Sequence, residues 1–141
     1  MKLTFDRSFL VIGLTYGALG MTLGIFMAAT RDHSQSVTHA HLLLVGFLLS
    51  IIYALIHRLW LESPNRWISR VQFVAHHLGV LMMVAGLYLL YGGHYPHETL
   101  EPLLASSSII VLVAILLMTV LVLMPARGAQ MAQQAQAGAS T

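Results

Sequence analysis

Four apolar stretches, each long enough to cross a bilayer and separated only by short polar breaks, set what this chain can fold into. They run from about Phe9 to Ala29, Ala40 to Ile56, Val71 to Tyr91 and Leu103 to Met124. A spanning helix needs ~20 mostly apolar residues for a ~30 Å hydrocarbon core. The second stretch is the shortest and reaches that length by extending to His39 and Trp60. The expected helices are therefore about 9–29, 39–60, 68–91 and 102–124. Lys2 and Arg7 precede the first stretch as they would a signal peptide. Its apolar run exceeds the ~7–15 residues of such a segment, and Met27-Ala28-Ala29-Thr30 is a poor cleavage site, so it reads as a mature helix.

Composition agrees. The chain is 57% hydrophobic and only 9% charged, against roughly 25% charged in soluble domains. It cannot cover a water-facing surface, and its first partner is a lipid bilayer. A length of 141 residues allows one bundle and no second domain. The absence of cysteine excludes disulfides, thiolate metal sites and thiol catalysis. The net charge of +2 does not point to nucleic acid, because the few basic residues flank apolar segments and act as topology signals.

Short breaks join antiparallel neighbours. The expected fold is an all-α membrane protein, four transmembrane helices in an up-down-up-down bundle over residues 1–127. Residues 128–141 are rich in Ala and Gln and read as a flexible cytoplasmic tail. Lys2, Arg7, Arg58, Arg66, Arg70 and Arg127 fall on one side of such a bundle, and only Arg31 on the other. The positive-inside rule then places both termini in the cytoplasm, as for a multi-pass protein of a bacterial inner membrane. The opposite side carries Asp32, Glu98 and Glu101 with His33, His39, His94 and His97, and His41 lies just inside it. Five of the eight histidines gather there.

The pair His39-Ala40-His41 opens the second stretch. A neutral imidazole is a good ligand for iron, copper or zinc, and a polar ring at the threshold of a membrane helix usually has a partner or a job. If the helix has begun by His39, the two rings lie ~200° apart on opposite faces and serve two sites, or one site and one hydrogen bond. If the backbone is still extended there, both rings lie on one side and can chelate one ion. The structural alternative is a pair of interfacial histidines at a helix entry.

His76-His77 lies within the third stretch, ~9 Å beyond Arg70 at 1.5 Å per residue. His76 shares a stripe with Phe73, Gly79, Val80 and Met83 and is the better ligand candidate of the two. By the same measure His41 lies ~26 Å from the level of Arg58, so His41 and His76 are too far apart in depth to ligate one iron within a chain. His57, beside Arg58, reads as an interfacial residue snorkelling to water. Gly13, Gly17, Gly20 and Gly24 form a smooth stripe that permits close helix packing or makes room for a flat macrocycle. Met21, Met27, Met82 and Met83 offer thioether ligands or core filler.

The helix running from His39-Ala40-His41 through Gly46 to His57-Arg58-Leu59-Trp60 resembles the haem-ligating helix of haem–copper oxidase and nitric oxide reductase catalytic subunits. Tyr16-Gly17, Gly20-Met21 and His76 with Gly79 extend the likeness over roughly residues 8–124, to small four-helix proteins similar to oxidase subunit I. In that superfamily the two histidines of the His-x-His pair ligate different haems on opposite helix faces. Its catalytic subunits are built as three four-helix arcs about a pseudo-threefold axis, so the resemblance implies one such arc and a homotrimer that rebuilds the set.

The resemblance implies a membrane b-type cytochrome, with haem b bound through His41 and with His39 or His76 as further ligands or second sites. Its role would be electron transfer with a respiratory-chain redox partner, or binding of a diatomic gas. The alternative is a copper- or haem-handling assembly or sensing protein that takes its cargo at the outer histidines. Whether any reaction is catalysed stays open at this point.

Overall fold

The computed structural model describes residues 4–61 and 64–124. The tail at 128–141 lies outside them. All regular structure among the described residues is helical: α1 (Phe5–Thr30), α2 (Ser36–Leu59), α3 (Arg66–Tyr91) and α4 (His97–Leu123), each long and apolar enough to cross a membrane. All four begin earlier than the apolar stretches alone predict, because polar residues start each helix before the apolar run. Asn65 caps α3, its Oδ1 accepting from the backbone N–H of Trp67 at 3.0 Å and Ile68 at 3.4 Å. In α4 the N-cap is Pro96, and Glu98 complements the helix dipole in the first turn. Pro102 lies inside the helix rather than at its start. α1 stops where Arg31 takes a left-handed conformation, φ 56°.

α2 is not uniform. Leu42–Leu48 winds as a π-helix between α-helical segments Ser36–His41 and Leu49–Leu59. Such wide turns are uncommon and are often found at functional sites.

The glycine stripe of α1 is a track for α2. A Cβ on Gly13 would lie 2.9 Å from Ser50 Cβ, one on Gly17 3.0 Å from Phe47, one on Gly20 2.5 Å from Leu43 and one on Gly24 2.8 Å from His39. Numbers rise along α1 as they fall along α2, so the two are antiparallel. The close approach leaves no room for a macrocycle between them, and of the two expected uses of the stripe the packing one holds. The same device joins α3 to α4, where Gly79 meets Val111 and Gly86 meets Leu104.

Polarity is distributed inside-out. Leu14, Ile25, Phe26, Leu44, Leu81, Ile109 and Leu116 face outward. Buried at the centre are Thr38, Ser50, Ser69, Gln72, His76, His77 and Ser107. A water-soluble bundle would show the reverse, and only a lipid solvent makes this arrangement favourable.

Candidate functional site

The three histidines expected to bind a cofactor occupy three separate environments. His39 and His41 both lie within the helix, since α2 starts at Ser36. Of the two geometries open in the sequence, the helical one therefore applies, and the pair cannot chelate a single ion. His39 leans across the glycine track, its Nδ1–H donating to the Gly20 carbonyl at 2.8 Å. His41 turns back along its own helix and donates from Nδ1 to the Val37 carbonyl at 2.9 Å. A carbonyl oxygen can only accept, so Nδ1 carries a proton in both rings, and the neutral form of each then has its lone pair on Nε2. This second-sphere arrangement is common in metal-binding histidines.

His76 is fully buried, with Nε2 2.8 Å from Ser50 Oγ. Ser50 lies nine residues beyond His41 on α2, a rise of ~13 Å at 1.5 Å per residue. His41 and His76 are thus well separated along the bundle, in the direction that the residue count predicts. Among the described residues no three His, Asp or Glu side chains converge to hold a metal ion.

The structure also assembles a group that single-residue reading missed. Ser50, Tyr53 and His57 recur at i, i+3 and i+7 along α2, and Ser69, Gln72 and His76 do so along α3; all six are buried. Residues at this spacing share one helix face. The two stripes meet in the inner half of the bundle, the half that carries Arg58, Arg66 and Arg70. His57 does not snorkel, correcting the expectation drawn from its neighbour Arg58. Its ring is only 9% exposed and stacks on Phe5 and Phe9 at centroid distances of 5.5 and 5.6 Å. Phe9 sits at the hub, with His76 at 5.8 Å and His77 at 5.2 Å. His77 is buried too, its Nδ1 3.4 Å from the Tyr16 hydroxyl.

Seven buried polar atoms in this group lie outside good hydrogen-bonding geometry with any protein partner: Tyr53 Oη, His57 Nε2, Ser69 Oγ, both polar atoms of the Gln72 amide, His76 Nδ1 and His77 Nε2. Of these, Tyr53 Oη and the Gln72 amide are close enough to interact with each other. Each such atom costs about 1–3 kcal/mol when left unpaired. They are concentrated in one place, whereas buried polar groups are normally hydrogen-bonded.

On the outer surface α1 and α2 form an apolar groove of about 430 Å³, lined by residues that include Leu14, Gly17, Met21, Leu44, Phe47 and Leu48. Its α2 wall begins at Leu43, two residues beyond His41. No family model, curated protein or solved structure matches this chain.

Proposed function

We propose that this protein is a membrane b-type cytochrome that binds haem through the His-x-His helix, with His41 as the principal ligand. The observation that carries this reading is the pair of Nδ1–H hydrogen bonds to the Val37 and Gly20 carbonyls, which leave the Nε2 atoms of His41 and His39 available as ligands. The donor set fits haem better than a bare ion. A structural or catalytic zinc site needs three or four converging protein ligands, whereas a macrocycle brings its own equatorial nitrogens and asks for only one or two histidines. Haem, when bound, would supply one-electron redox chemistry or a diatomic-gas site. His41 would supply a nitrogen ligand, its ring tautomer held by the Val37 carbonyl, and the groove from Leu43 to Leu48 would offer an apolar wall.

Because α1 and α2 close against each other along the glycine track, haem in this reading lies on the outward face, between copies of the chain. A homotrimer of up-down-up-down arcs, with both termini in the cytoplasm of a bacterial inner membrane, is the corresponding assembly. His39, on the opposite helix face, would serve a second haem or lock α2 to α1. His76 would serve the inner half. A copper- or haem-handling protein is the rival reading.

The visible spectrum of the purified protein tests this. A Soret band with sharp reduced α and β bands, lost in His41→Ala and kept in His76→Ala, is the expected result. Equal haem content in the His41 variant and the wild type sinks the assignment. A native mass of a monomer or dimer, in mild detergent and in lipid discs alike, removes the trimer.

A further inference from the structure

We infer that the arginine-bearing end of the bundle holds an anionic phospholipid, its headgroup phosphate taken by Arg58 on α2 together with Arg66 and Arg70 on α3. Register brings these three residues to one level. Gln35 Nε2 donates to the Tyr88 carbonyl at 3.1 Å toward the outer end of the α2–α3 pair, and Ser50 Oγ lies 2.8 Å from His76 Nε2 further in. Numbers rise along α2 as they fall along α3, so the two helices are antiparallel. Eight residues on from Ser50 is Arg58, and eight back from His76 is Ile68, midway between Arg66 and Arg70. At 1.5 Å per residue the three arginines therefore lie within ~3 Å of one depth.

They also fall on one side of the pair. His57 and Ser69 are buried where α2 and α3 meet, and Arg58 and Arg70 each follow one of them. One residue turns a helix by ~100°. In antiparallel helices those turns run in opposite senses when viewed down the pair, which carries both arginines to the same side. Arg66, four residues before Arg70, shares its face. All three are exposed.

Charge at this end is one-sided. It takes six of the seven Lys and Arg residues of the chain and two of the five Asp and Glu residues, Asp6 and Glu62. Among the described residues Asp6 is the only carboxylate here, and it acts electrostatically on Arg58. Glu62 lies outside the described residues. Guanidinium forks match the oxygens of a phosphate. The neighbours make that phosphate a lipid's. Leu59, Trp60 and Trp67 flank the arginines and are exposed, and tryptophan at such a level sits where headgroups meet acyl chains. A ligand that suits both sets of side chains joins a phosphate to hydrocarbon. A zwitterionic headgroup sets its own cation against the arginines, so the site favours a lipid of net negative charge. It does not rest on haem at His41.

Trp60 and Trp67 are the two tryptophans of the chain, so their fluorescence is a local readout. The test reconstitutes the full chain in phosphatidylcholine vesicles of like composition in both leaflets. These contain a small fraction of phosphatidylglycerol brominated on its acyl chains or, in parallel, the same fraction of brominated phosphatidylcholine. The brominated phosphatidylglycerol should quench several-fold more. Arg58→Gln/Arg70→Gln should lose most of that excess, with quenching by brominated phosphatidylcholine unchanged. Arg127→Gln, which removes a basic residue that follows α4, should keep it, and added inorganic phosphate should not reverse it. Equal quenching by the two lipids overturns the proposal, as does an excess that survives the double variant. An excess lost as much in the Arg127 variant shows a diffuse field in place of a site, and reversal by phosphate shows an ion site in place of a lipid one; either result overturns it too.

Discussion

The Ser50 hydroxyl oxygen lies 2.8 Å from Nε2 of His76, the shortest side-chain link between α2 and α3 in the inner half. It fixes the relative depth of the two helices. Replacing Ser50 with Ala leaves His76 with no protein partner on either nitrogen. The expected cost is about 1–3 kcal/mol, read as a lower melting temperature in detergent. An unchanged melting temperature would mean that this hydrogen bond contributes nothing to the bundle.

Two glycines on the same track should respond differently to one added methyl. At Gly13 the new Cβ meets Ser50 Cβ at 2.9 Å, an atom attached directly to the α2 backbone. At Gly20 it meets Leu43 Cδ2 at 2.5 Å and Cγ at 2.9 Å, atoms that both move when this side chain rotates about its Cα–Cβ bond. Gly13→Ala should therefore destabilise the protein more than Gly20→Ala, within the ~1–3 kcal/mol typical of overpacking. Thermal melts of the two variants side by side decide it, and the reverse order would show that α2 shifts as a rigid body.

Phe9 fills the space among His57, His76 and His77. Its truncation to Ala should cost about 3–5 kcal/mol, the range for a large aromatic in a packed core. It also leaves a cavity with three imidazoles on its wall. Phe9→Ala should bind nickel or zinc, measurable as a metal-dependent rise in melting temperature that the wild type lacks. A variant that gains nothing from either metal would show that the rings collapse onto one another instead.

Orientation can be checked without purification. Under the positive-inside rule the arginines at 58, 66 and 70 predict a cytoplasmic side for the inner polar stripes. A reporter fused after Thr141 should be active only in its cytoplasmic form, and one inserted between His94 and His97 only in its external form. The opposite pattern would reverse the bundle.

Much of this architecture is legible in the residues, for identifiable reasons. Apolar length alone places the four helices, and the glycine spacing marks a smooth face on α1 without saying which helix packs on it or whether a macrocycle does. The angle between His39 and His41 follows once the helix begins before them. The helix starts were less legible, because Ser36 and His97 are polar and lie outside the apolar runs. The neighbouring Arg58 suggests an interfacial position for His57, whereas the decisive information is its spacing from Ser50 and Tyr53, which puts it on their buried face. Polar residues at i, i+3 and i+7 in a membrane helix must share a face, and lipid makes the interior the favourable one. The matching stripe at Ser69, Gln72 and His76 carries the same signal, and only the pairing of the two reveals the group. The π segment at Leu42–Leu48 left no mark that periodicity could detect.

That segment has a consequence for how α2 tolerates change in length. Each π turn closes one residue later than an α turn, so the stretch stores surplus chain inside an otherwise regular rod. Deleting exposed Leu44 would let the rod rewind to ordinary α pitch, with His39 still over its glycine and Ser50 still on His76. Deleting Leu78 from α3, where no surplus exists, would turn everything beyond it by ~100° and pull His76 away from the face shared with Val80 and Met83. α2 thus has slack to take up an evolutionary deletion between its outer histidines and its inner polar stripe, and α3 has none.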